Sequence, residues 1–167
     1  AKDGAATSWP RPTRTPAEMS KTDSDFTHSP DEMHPDLEPA PELTGAGRRA
    51  AETLFGDQLE AAERYVQHLC TTGITHGLLG PREVPRMWSR HVLNCAVAAP
   101  ELPAAATVAD VGAGAGLPGL ALALARGDVE FVLIEPMERR VDWLDAVIDD
   151  LGLSNVQVIR ARAEDVA

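Results

Sequence analysis

Cysteine is nearly absent from this sequence: Cys70 and Cys95 are the only two, and neither lies in a CxxC or beside a histidine cluster. That excludes a disulfide framework and a cysteine-based metal site, and reads as two buried, reduced thiols of a cytosolic protein. No metal is expected. No apolar run approaches membrane-spanning length, and no apolar stretch follows a basic start. Neither a membrane partner nor a signal peptide is therefore expected, and the predicted location is cytoplasmic. Basic residues are also short, 15 Lys and Arg against 26 Asp and Glu, for a net charge of −11. Nucleic-acid binders usually show a basic footprint. This balance argues against one.

The first third lacks apolar periodicity. Residues 1–49 hold seven of the 13 prolines, and Thr22–Leu43 carries seven carboxylates with no Lys or Arg. A segment so poor in apolar residues cannot offset its ordering entropy. Residues 1–45 are therefore expected to be a disordered acidic, proline-rich tail, with residues 1–18, ahead of Met19, read as an upstream addition. Residues 46–106 are expected to form N-terminal helices, and residues 107–167 a partial α/β core.

Ala46–Thr72 reads as helix in two pieces, broken at Phe55-Gly56. Asp57 and Glu60 resemble a capping pair for the second piece, and Gly73 is expected to end it. Leu59, Ala62, Tyr65, Val66 and Leu69 share one stripe, so this helix packs against something. A further helix is expected from Pro85 to about Ala99, with Trp88, Val92, Cys95 and Ala96 on its apolar face. From Thr107 the pattern alternates: strand "TVADV", helix Pro118–Arg126, strand "EFVLIE", helix Met137–Leu151 ending at Gly152, strand "VQVIR". This βαβαβ run predicts an α/β fold, the first half of a doubly wound, Rossmann-like parallel sheet. In such sheets the first strand is usually central. Here its outer side is expected to be a bare edge, as in a fragment or a chain completed by a partner.

Between the first strand and its helix, "VGAGAGLPG" places Gly112, Gly114, Gly116 and Gly119 within eight residues. Bare backbone at that turn lets a ligand approach closely. Gly114, Gly116 and Gly119 satisfy GxGxxG, which favours a dinucleotide. Counted from Gly112, where the strand ends, the pattern fails, because Leu117 stands at the third glycine position. Asp110, two residues earlier, would repel a pyrophosphate and suits the ammonium and sulfonium of S-adenosylmethionine. Glu135, at the end of the second strand, can accept hydrogen bonds from ribose hydroxyls of either cofactor. Asp110, the glycines and Glu135 together favour the methyl donor.

These residues carry a resemblance. "DVGAGAGLPG", "EVPRMWSRHVLNCAVAAPEL", "LIEPMERRVDWLDAV" and "RARAEDV" resemble motifs of the ribosomal RNA small subunit methyltransferase G family, also called glucose-inhibited division protein B. The likeness runs from about Phe55 to Val166 and favours the actinobacterial branch. It implies a class I methyltransferase fold, S-adenosylmethionine as cofactor, and N7-methylation of one guanine in 16S rRNA of the small ribosomal subunit or its precursor particle. It also implies that Gly112 and Leu117, with Ala113, Gly114 and Gly116 between them, line the methionine and adenosine side. Glu135 would bind ribose, and Ala163 and Glu164 would contact adenine. Arg162 falls where the family has a functional basic residue. The family's closing strands lie beyond this sequence, so the active site reads as incomplete.

Guanine N7 carries a lone pair in its neutral form, so no catalytic side-chain base is expected. Alignment and exclusion of water suffice. The RNA-facing candidates are Arg86, Arg90 and His91 in the Arg-His helix, Arg139 and Arg140 at the start of the later helix, and Arg162. Arginine at a helix N-terminus opposes the macrodipole, which favours a functional role for Arg139 and Arg140. Two other readings stay open: a methyltransferase acting on another substrate, and a non-catalytic module that binds the cofactor or a partner.

Overall fold

The computed structural model describes residues 39–166. The expected tail therefore lies, over residues 1–38 and including Met19, outside the described residues. Helix α1 (Gly45–Phe55) and helix α2 (Leu59–Cys70) are separated by a 3₁₀ turn, Gly56–Gln58. The break falls where expected, because Gly56 turns the chain at φ 52°. The anticipated Asp57–Glu60 cap does not form. Asp57 lies inside the 3₁₀ turn, and no side chain caps α2.

Helix α2 ends three residues before Gly73, which sits instead in the short helix α3 (Thr72–Thr75). Gly73 serves packing: a Cβ there would stand 3.2 Å from the His68 carbonyl oxygen and 3.6 Å from the Trp143 ring. The single helix expected over 85–99 is also broken up. Pro81–Arg86 is 3₁₀, Met87–Val92 is π-helical, α4 spans Leu93–Ala96, and Ala99–Glu101 is another 3₁₀ turn. Pro85, expected at the first position of the helix, lies instead inside the 3₁₀ segment. The expected apolar face nevertheless holds, with Trp88, Val92 and Ala96 buried and Cys95 half-buried.

Strands β1 (Thr107–Val111), β2 (Glu130–Ile134) and β3 (Val156–Ile159) form a parallel sheet in the order β1-β2-β3. Helix α5 (Gly119–Ala125) links the first two and α6 (Glu138–Leu151) the last two. Gly152 ends α6 in the left-handed region at φ 67°, as the sequence suggests. β2 is central, and Phe131–Ile134 are all buried. β1 pairs only with β2 among the described residues, and Val111 is 59% exposed.

The helical region and the sheet share one core. Tyr65, Leu69, Met87, Leu120, Leu133, Trp143 and Leu144 are fully buried within it. Polar ties fasten the seams: Trp143 Nε1 donates to Thr72 Oγ1 (2.9 Å), and Arg126 donates to the Ala99 and Leu102 carbonyls (2.7 Å each). The end of the expected tail is docked as well. Ala40 and Leu43 pack on the core, and Trp88 Nε1 donates to the Pro41 carbonyl (3.0 Å). Two apolar side chains and one backbone acceptor hold this stretch against the core, a contact its composition alone does not announce. Both cysteines are free, and burial pushes the Cys70 thiol up to about 12.

Candidate cofactor cleft and its surroundings

Parallel strands place their C-terminal ends, and the loops that follow them, on one side of the sheet. Ligands of open α/β sheets sit there. In this protein that side holds a cleft of about 580 Å³, within the roughly 300–1,000 Å³ usual for small-molecule sites. Val111 and Gly112 line it from β1, Ile134, Pro136 and Met137 from β2, and Ala161, Arg162, Ala163 and Glu164 from β3. Gly112, Arg162, Ala163 and Glu164, far apart in sequence, are thereby brought together. Val111, Pro136 and Met137 are additions that no sequence signal marked. Gly112 has φ 79°, and a Cβ on it would meet nothing within 4 Å, so its backbone faces open space.

The other glycines shape the loop. Gly114 and Gly116 also lie at positive φ, 56° and 77°. A Cβ at Gly116 would collide with Leu120, and one at Gly119 with Leu133 and the Asp110 carboxylate. Ala113 and Gly116 are buried, and Leu117 packs against the core. These three support the loop from behind; the cleft wall is formed by others.

Asp110 is turned back into its own loop, where its Oδ2 accepts a hydrogen bond from Gly119 N (2.9 Å) and so holds the start of α5. Burial raises its pKa, and the Gly119 N–H pulls it partly back. Glu135 is only 1% exposed. Its Oε2 accepts from Gly114 N and its Oε1 from Met137 N, both at 3.0 Å. One carboxylate thus bolts the loop after β1 to the loop after β2. Arg140 Nη1 lies 3.7 Å from Glu135 Oε2.

Two residues not marked as site residues complete the picture. Tyr65 of α2, wholly buried, donates through its hydroxyl to the Ala115 carbonyl (2.7 Å) inside the glycine loop. Its helical stripe signalled packing, and no local pattern announces a hydrogen bond across 50 residues. Glu83 gathers three of the RNA candidates: Arg86 Nη2 at 3.0 Å, His91 Nε2 at 2.7 Å and Arg90 Nε at 3.8 Å. The hydrogen bond from His91, then the charges of Arg86 and Arg90, hold the Glu83 carboxyl below its ordinary range against the effect of burial. Arg86 and Arg90 remain more than half exposed and can meet a phosphate, whereas His91 is largely enclosed.

The structure separates Arg139 from Arg140. Arg139 is exposed without an ion pair among the described residues, and Arg140 leans on Glu135. Arg162 is 72% exposed at the cleft, 3.8 Å from Glu164. Among the described residues no group of His, Cys, Asp and Glu could hold a metal, and no helix is long and apolar enough to cross a membrane.

Comparison with known proteins places the chain in a family. A family model described as rRNA small subunit methyltransferase G matches residues 58–167. A protein of Pseudarthrobacter chlorophenolicus named ribosomal RNA small subunit methyltransferase G is 64% identical over 123 residues, covering 74% of this chain and 57% of the relative. Proteins of the same name from Salinispora arenicola and Streptomyces avermitilis are 53% and 50% identical over 133 and 131 residues, 79% and 78% of this chain and 53% and 52% of theirs. The chain therefore spans a little over half the length of these relatives. It belongs to the rRNA small subunit methyltransferase G (GidB) family.

Proposed function

We infer that this chain is the cofactor-holding part of a cytoplasmic S-adenosylmethionine-dependent enzyme that methylates N7 of one guanine in 16S rRNA, within the small ribosomal subunit or its precursor. Strands β1–β3 are the opening half of the doubly wound methyltransferase sheet, whose further strands pair with β1. The single observation that carries the reading is the cleft: Gly112 and the Arg162–Glu164 turn meet at the strand ends, with Glu135 beneath the loop. Family membership supplies the substrate class.

The residues suit the methyl donor. Gly112 offers backbone free of a side chain at the cleft wall, and Ile134, Pro136 and Met137 offer apolar surface for an adenine. Ala163 and Glu164 bound that surface from β3. Glu135, which the resemblance assigns to ribose, is buried and does not line the cleft; with its two N–H partners it fixes the two loops that do. Gly114, Gly116, Ala113 and Leu117 hold the loop's course, and Asp110 anchors its far end while adding negative charge near the sulfonium side. When bound, the donor would supply an electrophilic methyl group: the lone pair of neutral guanine N7 would form the new C–N bond as the methyl–sulfur bond breaks and S-adenosylhomocysteine leaves. The chain's residues need only align the two and exclude water. Arg86, Arg90, Arg139 and Arg162 are the exposed cations for RNA phosphate. Arg140 and His91 act by holding Glu135 and Glu83.

Titration calorimetry with S-adenosylhomocysteine and with NAD tests the cofactor assignment. Binding of the first and no binding of the second is expected. NAD binding, or no binding of either, would refute it.

A further inference from the structure

The glycine loop contains a carbonyl that its own backbone does not satisfy. Gly116 N donates to the Ala113 carbonyl (2.7 Å) and Leu120 N to the Gly116 carbonyl (2.7 Å), so the short turns within the loop close on themselves. The Ala115 carbonyl between them takes its hydrogen bond from Tyr65, a side chain of the helical region. Tyr65 is 0% exposed and Ala115 8%, so neither group has bulk water as an alternative partner. Ala115 is flanked by Gly114 and Gly116, both in the left-handed region. Glycine tolerates many backbone conformations, so the peptides on either side of Ala115 have little intrinsic preference for their observed course. Glu135 holds the loop at Gly114, and Asp110 holds it at Gly119. Tyr65 is the tie between those two points.

We propose that Tyr65 is a positioning residue for the cofactor loop: by holding the Ala115 carbonyl inward, its hydroxyl sets the path of the loop behind the cleft and so the placement of Gly112 in its wall. The helical region thereby takes part in shaping a site whose walls all come from the sheet. Burial, with Cys95 and Asp110 nearby, raises the phenol's pKa well above its ordinary value, so Tyr65 stays a donor throughout the physiological range. The part of this inference that concerns cofactor affinity rests on the methyl-donor reading. The part that concerns the loop does not.

Tyr65→Phe keeps the ring and removes the hydroxyl. Hydrogen exchange followed by mass spectrometry reads the result without any ligand. The peptide covering 112–118 is expected to exchange about fivefold faster, the change that follows from losing one hydrogen bond of ordinary net strength. Protection of β2 and α6 is expected to stay as in the parent. Thr72→Val, which removes the hydroxyl that accepts from Trp143, deletes a different tie between the same regions and is expected to leave the loop's exchange unchanged. Affinity for S-adenosylhomocysteine, read by calorimetry, is expected to fall up to about fivefold in Tyr65→Phe, the value of one ordinary hydrogen bond, and to hold in Thr72→Val. Unchanged loop exchange in Tyr65→Phe would overturn the proposal. So would equal acceleration across the loop, β2 and α6, which would make Tyr65 a residue of global stability alone. Absence of binding by the parent chain would count against the methyl-donor reading, while the exchange result still decides the role of Tyr65.

Discussion

Glu135→Gln tests the join between the two cofactor loops with almost no change in shape. The carboxylate accepts one backbone N–H on each oxygen, Gly114 N on Oε2 and Met137 N on Oε1, each at 3.0 Å, and it is 1% exposed. A glutamine amide can offer its oxygen to one of these donors only. Its NH₂ must then face the other N–H, donor against donor, in a place that water does not reach. One charge-assisted bond worth about 1.5–3 kcal/mol is lost, a buried N–H is left unsatisfied, and Arg140 loses its counter-charge at 3.7 Å. The combined cost is about 2–4 kcal/mol, since these contributions overlap. At roughly 4 °C per kcal/mol for a domain of this size, the melting temperature should fall by about 8–16 °C. Urea unfolding measures the loss directly, and calorimetry with S-adenosylhomocysteine should show weakened binding in the variant that still folds. A loss below about 0.5 kcal/mol, with affinity unchanged, would refute the role assigned to this carboxylate.

Gly119→Ala places a Cβ against Leu133 and the Asp110 carboxylate, and should cost about 1–3 kcal/mol by overpacking, read by urea unfolding. For Glu83, whose folded pKa lies below its ordinary 4.5, the stabilising contribution is present above that value and lost as pH falls through the folded one. The parent's melting temperature should therefore drop more steeply below about pH 4.5 than that of Glu83→Gln, in scans from pH 6 to pH 3. Arg90→Gln, altering a side chain 59% exposed, should leave the melting temperature unchanged. It should also reduce the salt slope of binding to small ribosomal subunits by about 1, as for one lost phosphate contact.

Local signals gave the sheet, and distant contacts gave the rest. β1, β2, β3 and α6 were legible because period, β-branched content and a terminal Gly152 all act within a few residues. The same local reasoning failed over 85–99, where one expected helix is divided among 3₁₀, π and α segments, with Trp88 and Val92 of the π segment buried in the core. In the site, Gly112, Ala163 and Glu164 were found at the cleft through the family resemblance. Bare chemistry singled out Asp110 and Glu135, yet their observed hydrogen bonds go to the backbone of the loops. Tyr65 and Glu83 were missed as site residues because each acts across the fold or gathers side chains that only a folded turn aligns. Glu135 faces internal partners and Glu83 pairs with Arg86, Arg90 and His91, while Arg86, Arg90, Arg139 and Arg162 all remain exposed despite the acidic balance of the chain.

The central claim is methyl transfer to one guanine N7 of 16S rRNA, and mapping 7-methylguanine in that RNA tests it most directly. Small-subunit RNA from cells with and without the gene should differ at a single guanine, whose N7 methyl group disappears on deletion and returns on complementation with the full-length protein. Identical methylation at every guanine in the two RNAs would contradict the account.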